Sequence, residues 1–227
     1  MPDAAVIFDV DGVLLDLTGP EEDAFFAPFE RRYGLTGLSR DWDSYRIRND
    51  EDIICEILER HLGRAPHRHE YEAVHDDYMA VLREGLASGS LRTETIPGTP
   101  ELLRGLSEIG IGLGIATANV IGAARQRLEH AGLWNHVATY AHGADGGGAK
   151  RTVLTRAIDQ LDLPRERIVY IGDNLNDVDA GLSNGVHFIG FAVEPHRRDR
   201  LAKAGATTLA GTHAETYAHI AQFLKLA

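Results

Sequence analysis

At 227 residues, 44% hydrophobic and 25% charged, the chain can bury a full core, either as one large domain or as a core with an insert. Its formal net charge of −11 excludes a general nucleic-acid binder, which needs a basic face; an anionic small substrate stays open, because a metal and a few local cations override the global field. The lone Cys55 excludes a disulfide framework, the start carries Asp3, Asp9 and Asp11 unlike a secretory leader, and no run of about eighteen apolar residues could span a membrane. A soluble cytoplasmic protein with neither a nucleic-acid nor a membrane partner is expected.

The first element is the run Ala4-Ala5-Val6-Ile7-Phe8-Asp9-Val10-Asp11-Gly12-Val13-Leu14. Its apolar, β-branched and aromatic start predicts a buried strand of a parallel sheet. Asp9 and Asp11 then fall at the strand's carboxyl end and share one face if extension persists. Two neighbouring carboxylates suggest a metal site, a proton-transfer pair, or a nucleophile beside its acid/base. The plainer alternative is an Asp-Gly turn that leaves Asp9 solvated.

Residues 16–20 read as a loop. Three amphipathic helices are expected next, around Ala24–Tyr33, Ile53–Leu62 and Tyr71–Leu82, with Gly34, Gly63 and Gly85 near their ends. This block contains no convincing strand and is expected to be a helical insert.

From Ile96 the pattern alternates strand and helix. A helix is expected after Pro97-Gly98-Thr99-Pro100, a strand over 112–117, a helix over 120–131 and a short strand over 137–140. A loop at 142–148, a helix over 150–161 and the buried strand 168–171 come next. They are followed by a helix over 177–184, a strand over 187–189, a helix near 197–204, a short strand over 207–209 and a last helix to Leu224. Repeated strand–helix units predict an α/β class fold: a Rossmann-like parallel sheet core flanked by helices.

Strand tips of a parallel sheet meet along one edge, and the tips here are chemically selective. The first carries Asp9 and Asp11. The second carries Thr117, Ala118 and Asn119 before a helix N-terminus, a natural anion site. Lys150 opens the helix after Gly146-Gly147-Gly148, where a cation is disfavoured by the helix dipole and an anion nearby is implied. A later tip carries Asp173 and, after a short turn, Asp177. Together these make a phosphoryl-transfer site, with carboxylate oxygens for Mg²⁺, a carboxylate nucleophile, and hydroxyl, amide and lysine donors for phosphate.

The ordered set Asp9-Val10-Asp11-Gly12-Val13, Thr117, Lys150 and Gly172-Asp173…Asp177 resembles the four motifs of the haloacid dehalogenase-like (HAD) hydrolase superfamily. The helical insert is similar to that family's C1 cap, and the nearest similarity is to phosphoglycolate phosphatase-like members. The resemblance implies a core of residues 1–16 and 95–227 with a cap of residues 17–94. It implies that Asp9 attacks phosphorus and becomes an aspartyl phosphate, while Asp11 protonates the leaving alcohol and then activates water. Mg²⁺ would be held by an Asp9 oxygen, the Asp11 carbonyl and Asp173, with Asp177 ligating or orienting a bound water. Thr117, the Ala118 N–H and Lys150 would hold phosphate, Asn119 joining them as the displaced amide of that motif. The expected activity is a Mg²⁺-dependent phosphatase for a small phosphorylated metabolite. A β-phosphoglucomutase-type phosphomutase and a phospho-accepting signalling module are the alternatives.

Arg46, Arg48 and Asn49 precede an expected insert helix and are candidates for meeting a substrate carboxylate or sugar. His67, His69 and His75 lack a cysteine nearby and read as solvated rather than zinc-binding. Gly110-Ile111-Gly112-Leu113-Gly114 precedes its strand rather than following it, so it is no dinucleotide loop. His196-Arg197-Arg198 reads as a solvated helix start.

Overall fold

The computed structural model describes residues 2–16 and 19–226. Strand β1 (Ala5–Phe8) leads into β2 (Leu15–Asp16), then helices α1 (Gly19–Tyr33), α2 (Asp50–Leu62) and α3 (Arg68–Ser88), and β3 (Glu94–Thr95). The rest alternates: α4 (Thr99–Glu108), β4 (Gly112–Ala116), α5 (Ile121–His130), α6 (Trp134–Val137), β5 (Tyr140–His142) and α7 (Lys150–Leu161). It finishes with β6 (Ile168–Gly172), α8 (Leu175–Asn184), β7 (His187–Phe191), α9 (Pro195–Lys203), β8 (Leu209–Ala210) and α10 (His213–Leu224).

Six strands form one parallel sheet in the order β5-β4-β1-β6-β7-β8. Side chains alternate across a strand, and both faces of this sheet are covered, so its central strands are apolar at every position. Val6 and Phe8 of β1, with Val169 and Ile171 of β6, pack under Leu103, Leu128 and Ile220. Ala5, Ile7, Ile168 and Tyr170 face the other way, onto Val153, Leu154 and Val178. The central strand β1 has neighbours on both sides, and its carboxyl end therefore opens into the crevice where open α/β sheets place their sites.

The helices α1–α3 stand apart from that sheet around a third cluster, with Phe25, Phe29, Ile54, Leu58, Val74 and Leu82 at its centre. Among the described residues, only Val120 and Ala123 of the sheet-bearing part join it. The chain enters the helical block through β2 and leaves through β3, and these pair antiparallel, Leu15 with Thr95 and Asp16 with Glu94. Two-residue strands carry too little pattern to be read from sequence, and both were absent from the expected elements. Residues 17 and 18 of the expected loop lie outside the described residues, while Gly19 and Pro20 already belong to α1.

Two other expectations are corrected. The strand expected over 137–140 begins at Tyr140, because Val137 ends the single turn α6, closed by Ala138 N–H donating to the Trp134 carbonyl at 2.9 Å. Gly85 does not end α3: it lies inside the helix, where Leu91 folds back over it and leaves no room for a Cβ. The helix stops at Gly89, whose φ of 75° is the left-handed conformation that glycine adopts without strain. Among the described residues, no helix is long and apolar enough to cross a membrane.

Candidate active site

The tip of β1 is fixed from both sides. Asp9 N–H continues the ladder to the Ile171 carbonyl at 2.8 Å, and the next residues turn tightly, Leu14 and Leu15 both donating to the Val10 carbonyl at 2.9 Å. Gly12 makes the turn with φ 74°, and the Asp173 carboxylate packs where a Cβ would stand. This glycine is therefore required twice, for its backbone conformation and for the approach of Asp173.

Asp9 accepts a hydrogen bond from Val10 N–H at 2.7 Å and an ion pair from Lys150 Nζ at 2.8 Å. Lys150, only 5% exposed as the first residue of α7, also reaches Asp177 at 3.0 Å. Asp177 is fully buried; it accepts from the Tyr170 hydroxyl at 2.6 Å and caps α8 by accepting from Asn174 N–H at 3.0 Å. Sequence reading began this helix at Asp177, but α8 starts at Leu175, and that shift is what turns Asp177 inward as a capping side chain.

Asp9, Asp173 and Asp177 place one carboxylate oxygen each within 4.8 Å of one another. Burial pushes Asp9 up to about 8, with Asp177 and Asp173 adding to the rise and Lys150 opposing it. Burial and then Asp177 push Asp173 up to about 6, against Arg197, Lys150 and Arg48. Burial disfavours the Lys150 charge, yet Asp177 and Asp9 outweigh it and hold the ammonium protonated. Asp9 and Asp177 share Lys150 while Asp173 meets only the part-exposed Arg197, so burial still raises two of the three carboxyls, and hard oxygen donors suit Mg²⁺. Asn176 Oδ1, buried without a hydrogen-bond partner among the described residues, belongs to a side chain lining the same cavity. The donor set fits a divalent hard cation.

Asp11 has both carboxylate oxygens held. Arg127 donates to one at 2.5 Å and Asn119 Nδ2 to the other at 2.6 Å. Burial acts to raise its pKa, but Arg127, followed by Asn119, overcomes that and keeps the group below the ordinary value. Asn119 also donates from Nδ2 to Thr117 Oγ at 2.8 Å. Its amide thus meets Asp11 and Thr117 beside the expected phosphate donors. Thr117 Oγ accepts from Asn119 and keeps its own O–H as a donor; the Ala118 N–H likewise has no partner among the described residues.

Two residues of this site were missed in the sequence. Arg127, 2% exposed, pairs with Asp11 and, through Nε, with Glu21 at 3.0 Å. Both sit on apolar stripes: Arg127 among Ala123, Ala124 and Leu128 of α5, Glu21 among Ala24 and Phe25 of α1. A charge on the buried face of a helix was the available signal.

The other candidates divide. Arg48 lines the cavity and pairs with Asp43 at 3.2 Å, while Asn49 caps α2 and donates to the Gly148 carbonyl at 2.8 Å. Arg46 is not brought to the site; it lies on the outer side of α2 with Glu56 and Glu59. Arg197, expected as a solvated residue, instead reaches back to the Asp173 carboxylate. His67 and His69 stack on each other at the exposed start of α3.

The model of the haloacid dehalogenase-like hydrolases matches residues 4–185, and the chain belongs to that family of enzymes. It is 29% identical over 220 residues to the tyrosine-protein kinase PtkA of Mycobacterium tuberculosis, covering 93% of this chain and 69% of that protein. It is 28% identical over 229 residues to the probable phosphatase IndB of Dickeya dadantii, covering 97% and 95%. The fold superposes on the crystal structure of CbbY from Rhodobacter sphaeroides in complex with phosphate, with a TM-score of 0.74, 22% identity and coverage of 95% and 96%.

Proposed function

We propose that this chain is a Mg²⁺-dependent phosphatase that hydrolyses a small phosphorylated metabolite through an aspartyl phosphate on Asp9. In this reading residues 17–94 act as the cap over a core of residues 1–16 and 95–227, and the enzyme works in the cytoplasm. One observation carries it: Asp9, Asp11, Thr117, Lys150 and Asp173 line a single cavity of about 290 Å³ at the carboxyl edge of the sheet. Asp9, Asp173 and the Asp11 carbonyl would hold Mg²⁺, which supplies charge to polarise the phosphoryl group. Asp177 is engaged by Lys150, Tyr170 and Asn174, which favours an orienting role over direct ligation.

The chemistry then rests on the side chains. An Asp9 oxygen forms a bond to phosphorus as the ester P–O bond breaks, and the leaving alkoxide takes a proton from Asp11. Thr117 O–H, Ala118 N–H and Lys150 neutralise the phosphoryl oxygens where charge develops. Water then attacks the aspartyl phosphate, giving its proton to Asp11, and Asp9 and phosphate are released. Arg127 and Asn119 fix the Asp11 carboxyl in place for both proton transfers.

The test is phosphate release from a panel of phosphomonoesters, with Mg²⁺ and with EDTA, by the native chain and by Asp9→Asn. Metal-dependent release that falls roughly 10⁴-fold in the variant is expected. Undiminished release by Asp9→Asn would overturn the mechanism, and isomerisation of a sugar phosphate without release would move the reading to a mutase.

A further inference from the structure

The cavity has a second set of lining residues that the chemistry above leaves unused. It is built by the helical insert from Phe25, Trp42, Ile53, Tyr78 and Leu82. We propose that this set is the leaving-group subsite for an uncharged, ring-bearing alcohol, with the Tyr78 hydroxyl as its hydrogen-bonding group. The inference rests on the phosphatase reading and names the substrate class for it.

Shape supports a ring. Phe25 meets Trp42 at 5.4 Å and 74°, and Tyr78 at 5.2 Å and 78°, both edge to face. Such packing fixes three aromatic side chains at once and offers a rigid apolar surface on which a sugar face or an aromatic ring can lie. The whole cavity is near the small end of ligand sites, so it takes a phosphate and one ring.

The polar complement is equally specific. Tyr78 is 5% exposed, yet its hydroxyl has no hydrogen-bond partner among the described residues. The hydroxyl is not sealed inside the protein; it stays open to the cavity, where a ligand oxygen can accept its hydrogen bond. Burial, with Asp50 next, keeps this phenol protonated and able to donate.

Charge excludes a second anion. Every cation lining the cavity already faces a carboxylate: Lys150 with Asp9 and Asp177, Arg127 with Asp11 and Glu21, Arg48 with Asp43, and Arg197 with Asp173. Glu22 lines the same cavity with only the Trp42 indole N–H on it, at 3.1 Å, and no cation among the described residues. A carboxylate or second phosphate on the leaving group would meet Glu22 unneutralised, and such repulsion is how a site rejects the wrong substrate. The subsite thus disfavours phosphoglycolate and bisphosphates.

The experiment compares kcat/KM for glucose 6-phosphate, 4-hydroxyphenyl phosphate, phenyl phosphate, 2-phosphoglycolate and fructose 1,6-bisphosphate, in the native chain and Tyr78→Phe. Ring monophosphates should exceed the two anionic leaving groups by about tenfold or more. Tyr78→Phe should raise KM about tenfold more for the hydroxyl-bearing ring than for phenyl phosphate. Whether glucose 6-phosphate or 4-hydroxyphenyl phosphate carries that loss tells a sugar source from an aromatic one. A preference for phosphoglycolate or the bisphosphate, or an equal effect of Tyr78→Phe on every ester, overturns the proposal while leaving phosphatase activity standing. Calorimetric binding of the same esters to Asp9→Asn reads the subsite without turnover. If no ester is hydrolysed but the ring esters bind more tightly there, the phosphatase reading fails and the subsite stands; equal binding of all five overturns the subsite.

Discussion

The guanidinium of Arg127 and the carboxylate of Asp11 meet at 2.5 Å, and the same guanidinium reaches Glu21 at 3.0 Å. One acid comes from the tip of the central strand and the other from the first insert helix. A single buried cation therefore joins the tip of the central strand to the helical block. Removing one partner from such a set leaves an uncompensated charge, which costs far more than the set contributes.

Arg127→Met should accordingly lower unfolding free energy by about 3–5 kcal/mol. Adding Glu21→Gln should recover part of that stability while turnover stays low, because Asp11 still lacks its donor. Urea titrations of the two variants, read beside kcat, make the check; native-like stability in Arg127→Met would refute the account.

Asn119 acts on the same carboxylate from the other side. A hydrogen bond to a charged group contributes about 1.5–3 kcal/mol, so Asn119→Ala should lower kcat roughly 10- to 100-fold with KM nearly unchanged. A rise in KM alone would instead make Asn119 a phosphate donor. Thr117→Ala, which removes the hydroxyl donor proposed for phosphate, should move both constants.

Burial pushes Asp50 up to about 7, with Asp11 adding to the rise and the Val120 N–H donating to Asp50 Oδ2 at 2.9 Å opposing it. The folded chain thus keeps a proton that the unfolded chain releases near 3.8. Its contribution is full below about pH 4 and falls away as pH rises to 7, by on the order of 4 kcal/mol. Asp50→Asn keeps an acceptor for Val120 and removes the titration. The difference in stability between variant and native chain should therefore grow in the variant's favour from pH 5 to 8, and a pH-independent difference would contradict the assignment.

Crowding among Asp9, Asp173 and Asp177 gives a metal prediction that needs no substrate. Mg²⁺ binding to the folded chain should raise Tm in proportion to the logarithm of its concentration, and EDTA should reverse the rise. Asp173→Asn should remove most of that response. A Tm indifferent to Mg²⁺ in the native chain would sink the metal assignment.

The central strands were legible because both faces of the sheet are buried, which writes an unbroken apolar run such as Val6-Ile7-Phe8 or Val169-Tyr170-Ile171. The polar residues at their tips stood out against those runs, and the structure brings Asp9, Asp11, Thr117, Lys150 and Asp173 to one cavity. What sequence could not supply was pairing across the chain. Glu21 and Arg127 are 106 residues apart, and Arg197 meets Asp173 only because α9 begins beside that strand tip. Local pattern could not show that the Asn119 amide, next to Thr117 in sequence, also reaches Asp11.

The antiparallel pairing of Leu15 with Thr95 brings the entry and the exit of the helical block to one hydrogen-bonded rung. A two-residue turn is enough to join strands so paired. Deleting what lies between would shorten the chain by about a third without asking any strand of the main sheet to move. Such a miniature would retain Asp9, Asp11, Thr117, Lys150 and Asp173 but lose Phe25, Trp42 and Tyr78, together with Glu21, the second partner of the buried Arg127. On the proposed function, the residues for reaction and those for choosing the ester fall in different stretches of sequence that meet at one seam and are tied across it by the Arg127–Glu21 pair.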